Sequence, residues 1–349
     1  MRIGVVGLGM GLYLASWSRR LGIDVVAGCD RDAQRRTDAA AALPGTDIHA
    51  DWTALLDLDL DGVVLANDFD EHAPLAIAFL DRGVHVLSEA AACADEDQAT
   101  ALLEAERRST ATYSFAENYV FHPHVELLRA AVENGEIGRV TLIEADYLHG
   151  MSPEDVTALI GDPGHWRGRI APTAYCTHTL SPILALTGQH PTEVSAFLVD
   201  TTDARTAAVL VVRLSGGGLA IARHGFLQGE PDSHWSWVSV RGSEGIAESL
   251  RAPGERAWSV RVRKESWTAP DGVVRDEVRT PTAVTLPDGT PVESKAVGTV
   301  RILEGFRATV EHGAAPLVPV GPAVAASLVG VAGARSLREG SRPVRMPDL

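Results

Sequence analysis

Arg2-Ile3-Gly4-Val5-Val6-Gly7-Leu8-Gly9-Met10-Gly11-Leu12 is the stretch that decides the fold. A β-branched run (Ile3, Val5, Val6) ends in clustered glycines, and apolar residues at helical spacing follow, Leu12, Ala15, Trp17 and Leu21. Strand, tight turn and helix in that order bring backbone N–H groups and a helix N-terminus to bear on a diphosphate. Val25-Val26-Ala27-Gly28-Cys29-Asp30 then supplies a second apolar strand ending in an acid. It stands about 20 residues on, where dinucleotide folds hydrogen-bond the adenosine ribose. Gly7, Gly9, Met10 and Gly11 are therefore expected at the diphosphate and Asp30 at the ribose. The third glycine of G-x-G-x-x-G would fall at Leu12, with Gly11 displaced by one, so the helix should pack on its strand somewhat differently. Asp30 repels a 2′-phosphate, which favours NAD over NADP, although Arg31 leaves that preference open.

Outward from this stretch, residues 1–118 alternate strand-like segments (2–6, 24–29, 62–66, 84–88, 111–115) with helical ones (12–21, 31–42, 72–82, 95–108). Repeated βα units imply a doubly wound parallel sheet with ligands at the carboxyl ends of its strands. That places Asn67, the 88–91 turn and Glu117-Asn118 beside the glycine turn. Beyond 120 the texture changes. A helix is expected over 122–134, a long strand from 138, a helix over 177–186, and strands at 193–199, 206–214, 218–227, 235–241 and 257–264. Short turns such as Ser215-Gly216-Gly217-Gly218 make this second sheet mostly antiparallel. Helices close the chain near 300–312 and 322–338, and the polar stretch 266–296 reads as a surface excursion. The fold class is thus α/β: a nucleotide-binding domain, 1–118, and an α+β domain with a large open sheet, 119–349.

Composition narrows the partners. The net charge of −15 argues against nucleic acid. It suits a cationic substrate, but residues 1–120 carry 9 Lys and Arg against 20 Asp and Glu, and residues 121–349 carry 22 against 26. Most of the excess therefore lies in the nucleotide half, as expected of an ordinary acidic surface. Three dispersed cysteines, Cys29, Cys93 and Cys176, form no framework and suggest a reducing compartment. Entry straight into a strand leaves no room for a signal peptide, and no apolar run reaches the ~18–20 residues of a span. The expectation is a cytoplasmic protein without membrane or nucleic-acid partners. His122, His149 and His165 show no metal-ligand spacing, so no metal is expected.

Taken together these segments resemble the glucose-fructose oxidoreductase/inositol dehydrogenase (Gfo/Idh/MocA) family over nearly the whole chain. Asp61-Gly62-Val63-Val64-Leu65-Ala66 with His72-Ala73-Pro74 is similar to its third cofactor segment. Gly83-Val84-His85-Val86-Leu87-Ser88-Glu89 resembles the approach to its Glu-Lys-Pro motif, Asn134 to Val140 the entry to its substrate sheet, and Trp166-Arg167 its Trp-Arg pair. The departures are informative. Glu-Lys-Pro reads Glu89-Ala90-Ala91, and the only lysines are Lys264 and Lys295. The family's Asp-x-x-x-His reads Ala174-Tyr175-Cys176-Thr177-His178, without the aspartate. Tyr-x-x-His ahead of Ser181-Pro182, with Glu117-Asn118-Tyr119, resembles the branch holding NAD-dependent glycosidases and sugar dehydrogenases.

Oxidising a secondary alcohol requires a base for the O–H proton and an acceptor for the hydride. With lysine and aspartate absent, Tyr175 and His178 remain, i and i+3 apart on one helical face. Which of them is the base stays open. The resemblance implies Glu89 at the nicotinamide ribose, Asn118 at cofactor or substrate, and Trp166, Arg167, Tyr119 and His149 around the sugar. His72 either contacts the cofactor or caps its helix. The leading reading is an NAD-dependent dehydrogenase of a ring hydroxyl, C3 of a sugar or glycoside, with an amino-sugar or aminoglycoside intermediate as a refinement resting on Glu154, Asp155 and Asp162. A redox-neutral glycosidase and a non-catalytic NAD sensor are the alternatives. Relatives commonly associate through the open sheet, so a homo-oligomer is expected.

Overall fold

A computed structural model describes residues 1–203, 206–227, 229–230 and 233–347. The chain divides into two compact units, Met1–Asn118 with Thr299–Ser327, and Tyr119–Gly298 with Leu328–Leu349. The break after Asn118 falls where the alternating pattern stops. The return of 299–327 to the first unit departs from the two consecutive domains expected, and it rests on contacts that no local pattern signals.

The first unit carries strands β1 (Arg2–Val6), β2 (Asp24–Cys29), β3 (Asp47–His49), β4 (Gly62–Leu65), β5 (His85–Ser88) and β6 (Tyr113–Phe115), with helices α1 (Met10–Arg20), α2 (Ala33–Ala42), α3 (His72–Leu80) and α4 (Glu96–Arg108). All pairings are parallel, in the order β3-β2-β1-β4-β5-β6. The order reverses between β1 and β4, which opens the ligand crevice at their carboxyl ends. β4 is buried throughout, as a strand covered on both faces must be. Asp32 and Asp95 cap α2 and α4 by accepting from the Arg35 and Gln98 amides. The returning segment lies along the edge at β6: the Phe115 amide donates to Val318 O at 2.9 Å, and Phe306 fills the space above Gly62.

The second unit follows with α5 (Pro123–Glu133), β7 (Val140–His149), α6 (Pro153–Ile160), α7 (Trp166–Arg169), α8 (Thr177–Thr187), β8 (Pro191–Leu198), β9 (Ala208–Leu214), β10 (Leu219–Phe226), β11 (His234–Gly242), β12 (Gly245–Leu250), β13 (Ser259–Lys264), β14 (Arg275–Arg279) and the two-residue strands β15 (Val284–Thr285) and β16 (Pro291–Val292). Helices α9 (Ser294–His312) and α10 (Val320–Arg338) and strand β17 (Val344–Arg345) close the chain. Nine strands form one sheet, β14-β13-β12-β11-β7-β10-β9-β8-β17, antiparallel except for β7 with β10. Alternation sorts its faces. Ile143, Ala145, Ala220, Ala222, Val238 and Val240 are buried on one, while the other carries the Arg223–Asp146 and Arg241–Glu144 ion pairs.

Besides the short β3, β15, β16 and β17, two strands escape the sequence pattern. β12 turns only Ala247 and Ser249 inward, so no large apolar residue marks it. β14, inside the expected surface excursion, is exposed at four of five positions. It is held by Arg261–Asp276 and Arg279–Glu136 ion pairs rather than by burial. α10 corrects a further expectation: Val320–Arg338 is long and apolar enough to cross a membrane, yet 67% of its window is buried in the protein. Core helices of soluble proteins share that property.

Candidate active site

In the first unit the glycine turn is a cradle made of backbone. Gly7 has φ +85°, and a Cβ there would stand 2.4 Å from Ala66 O, so only glycine fits. α1 has Gly9 at its N-cap and no capping side chain, which leaves first-turn N–H groups for an anion. Gly11, one position early in the motif, still takes the close-packing role: a Cβ would meet Val5 Cγ1 at 2.8 Å. Helix and strand therefore approach through Gly11, and Leu12 needs no replacement. Met10 is exposed beside them. Asp30, buried at the end of β2, accepts from the Leu8 and Asp32 amides, both at 2.8 Å. One cleft is lined by Gly7, Asp30, Arg31, Arg35, Asn67 and Asp68.

Among the described residues, two buried polar atoms at this crevice find no partner, Asn67 Oδ1 and His72 Nε2. His72 does not cap α3. Its Nδ1 lies 2.9 Å from Ala91 O, an acceptor, so Nδ1 carries the proton and ties α3 to the Glu89-Ala90-Ala91 turn. Complete burial pushes its pKa down, keeping the ring neutral. In that turn the Glu89 carboxylate accepts from the Ala90 amide at 3.3 Å. Asn118 donates to Thr299 Oγ1 at 3.3 Å. A cradle that excludes a Cβ, an uncapped helix, a ribose-type acid and two orphaned polar atoms together fit a dinucleotide.

The second unit gathers rings instead. Tyr175 lies in a 3-10 turn, Ala174–Cys176, that runs into α8, and His178 is the second residue of that helix. Their ring centroids are 5.9 Å apart at 27°. Tyr119 stacks on His178 at 4.7 Å, and Tyr147 packs on it at 4.5 Å. Three phenols thus surround one imidazole. His149 joins from the edge, 4.6 Å from Tyr147, with Trp235 and Phe226 beyond it. Sequence reasoning missed Tyr147, although Tyr147-x-His149 on one strand face carried the signal. Trp166 and Arg167 pair with each other on α7, the guanidinium 4.4 Å from the indole centroid. Glu154, Asp155 and Asp162 are all exposed on α6 and the turn after it.

The surrounding histidines are held neutral. Burial, then proximity to His178, lowers His149 to about 4, and burial lowers His224 to about 4. His122 falls to about 3, through burial and then His124 and His178. A buried chain also fixes where the His122 proton sits. His124 Nε2 is 2.6 Å from Ser236 O, a carbonyl, so it donates. The Ser236 hydroxyl, 3.2 Å from that N–H, is left to donate to His122 Nδ1 at 2.6 Å. With the Ser236 hydroxyl as donor, the His122 proton lies on Nε2, on the side of the ring away from Ser236. Neither lysine can substitute for these groups: Lys264 is paired with Glu244 and Lys295 with Glu293. Among the described residues no His, Cys, Asp and Glu cluster could hold a metal.

Two family models match the chain, an oxidoreductase family with an NAD-binding Rossmann fold over residues 1–117 and a GFO/IDH/MocA C-terminal domain over residues 125–248. Inositol 2-dehydrogenase 4 of Saccharopolyspora erythraea is 30% identical over 165 residues, 45% of this chain and 48% of that protein. A glycosyl hydrolase family 109 protein of Stenotrophomonas maltophilia is 30% identical over 178 residues, 47% of this chain and 38% of that protein. The chain thus spans about half or less of the length of the curated relatives it matches. Levoglucosan dehydrogenase, solved with NADH and levoglucosan, superposes with a TM-score of 0.81 at 18% identity, covering 100% of both chains. UDP-N-acetylglucosamine 3-dehydrogenase from Acidithiobacillus ferrooxidans gives 0.75 at 18% identity, over 98% and 99% of the two chains. At such identities the superpositions establish the fold.

Proposed function

The chain belongs to the Gfo/Idh/MocA oxidoreductase family, with an NAD-binding Rossmann domain, and on that premise we propose that it is an NAD-dependent dehydrogenase oxidising a ring hydroxyl, C3, of a sugar or glycoside. One observation carries the reading: His178 stands among Tyr119, Tyr147 and Tyr175 in a chain whose two lysines are committed elsewhere. Bound NAD supplies a nicotinamide that accepts the hydride. The chain's own part is to take the hydroxyl proton, directly on the His178 imidazole or through the Tyr175 phenol. A phenol starts near pKa ~10 and needs an adjacent acceptor, which His178 provides. Phenol and indole faces, Tyr119, Tyr147 and Trp235, suit the C–H faces of a sugar ring. The C3 position draws support from the fold shared with the UDP-N-acetylglucosamine 3-dehydrogenase. An amino-sugar or aminoglycoside intermediate is the refinement supported by the acidic balance and the exposed carboxylates around α6. The chain acts in the cytoplasm as a homo-oligomer joined through the open sheet face, where Val209, Val211 and Ile221 are half-buried.

A second reading is supported by the family 109 glycosyl hydrolase relatives and the Tyr-x-x-His pattern they share in the resemblance above. It is a redox-neutral glycosidase: oxidation at C3, loss of the aglycone through the acidified C2 proton, addition of water, and reduction. Absorbance at 340 nm with a panel of sugars, amino sugars and aryl glycosides separates the two. Steady NADH formation supports the dehydrogenase, and aglycone release without accumulating NADH supports the glycosidase. No response to any glycoside, with NAD bound, contradicts both and leaves a sensor.

A further inference from the structure

The segment after β2, Asp30-Arg31-Asp32-Ala33-Gln34-Arg35-Arg36, carries two opposite messages about the cofactor. An acid at the ribose excludes a 2′-phosphate, whereas arginines beside it recognise one. Each of these guanidinium groups has a partner. Arg36 donates to Asp30 O at 2.8 Å and to Arg31 O at 2.9 Å, so it clamps the backbone of the turn. Arg35 lies over the phosphate-binding turn, its guanidinium 3.6 Å from where a Gly9 Cβ would stand, and 3.5 Å from the Asp30 carboxylate. Arg31, the most exposed of the cluster's ion-paired groups, reaches across the crevice to Asp68, which follows β4. Arg31 and Asp68 belong to opposite sides of the switch point, and both line the cleft that holds Asp30.

We propose that Asp68 is a specificity-determining residue for the cofactor: by engaging Arg31 it withholds the most exposed guanidinium of the cluster from a 2′-phosphate. Asp30 then excludes that phosphate directly, and Asp68 does so by occupying its natural partner. The choice of NAD is set by two acids on two loops, only one of which lies in the β2 motif. The Arg31 guanidinium is mostly solvated while the Asp68 carboxylate is largely covered, so neutralising Asp68 leaves an exposed arginine to turn to another anion. This inference concerns the nucleotide alone and stands whichever sugar chemistry the chain performs.

The test is equilibrium binding of NADH and NADPH to the full chain, followed by their fluorescence, in wild type and Asp68→Asn. Wild type binds NADH more tightly. In Asp68→Asn the affinity for NADPH relative to NADH rises about tenfold, the scale of one charge-assisted contact. Arg31→Ala in the Asp68→Asn background abolishes the gain, and Glu71→Gln, an equal change of charge in the same cleft, gives less than about a third of it. Asp68→Ser serves if Asp68→Asn melts at a lower temperature than wild type. The proposal is overturned if the ratio moves less than about twofold, since an engaged arginine was then never the limit. It is equally overturned if Arg31→Ala keeps the gain, if Glu71→Gln matches it, or if wild type does not prefer NADH.

Discussion

In the six-stranded sheet the groups facing a ligand are backbone amides, an orphaned amide oxygen and carboxylates, delivered by the turns that follow β1, β2 and β4. In the second unit they are phenol and imidazole rings drawn from positions as far apart as Tyr119 and His224, and the histidines around them are kept uncharged by burial. The first arrangement binds by shape, since a Cβ at Gly7 would collide with Ala66 O. Under the proposed function the second acts by proton affinity, since the histidines around His178 hold no charge of their own. The contrast teaches that steric rules govern one half of the chemistry and protonation governs the other, so different perturbations should disable them.

The sharpest break between them is Gly7→Val. Positive φ and a 2.4 Å approach to Ala66 O leave no room for the branched side chain. NADH affinity should fall more than about 100-fold, on the order of 3 kcal/mol, while the histidine cluster keeps its acid titration. Isothermal titration with NADH, paired with thermal melting, checks this. Retention of wild-type affinity contradicts the cradle.

Acid should do the reverse. His122 at about 3 and His124, His149 and His224 at about 4 are depressed below the ~6.5 of an unfolded histidine. The unfolded chain therefore binds more protons between those values, and stability is complete above pH ~6.5 and lost as pH falls toward 4. Each group contributes about 1.4 kcal/mol per pH unit in that window at most. Melting temperature measured from pH 7 to 5 should drop steeply, and His149→Phe should flatten the slope. A profile unaffected by that substitution would show that the His149 ring titrates alike in the folded and unfolded chain, contradicting its depressed pKa.

The smallest effect expected is from Ser236→Ala. Loss of the hydroxyl leaves His122 Nδ1 without its donor, which should lower stability by about 1 kcal/mol and turnover severalfold. Denaturant unfolding and the pH profile of turnover read it. The proton on His122 should redistribute between its nitrogens, visible as a change in histidine 15N shifts, and unchanged shifts contradict the hydrogen-bond order assigned.

The same contrast explains what the sequence disclosed. The nucleotide sheet was legible because its site is written in contiguous motifs: Gly7 to Gly11, Asp30 and Asn67 each end a strand that pattern alone locates. Even there, the three-residue β3 and the return of 299–327 left no periodic mark. In the ring cluster, spacing pointed to Tyr175 and His178, and the family resemblance to Tyr119 and His149. Tyr147 lay unremarked in the long strand expected from 138, and Ser236 stands at a bulge in β11 opposite β7, which no spacing rule anticipates. The role of Asp68 left no local mark, because its partner Arg31 lies 37 residues earlier.

Single-turnover formation of NADH at 340 nm, with a glycoside that wild type oxidises, tests the central claim most directly when run on Tyr175→Phe and His178→Ala. Both variants should bind NADH as wild type does and form NADH at least about 100-fold more slowly, the scale of a lost general base. If both instead turn over within a few-fold of wild type, the hydroxyl proton leaves by another route and the phenol–imidazole couple is not the base.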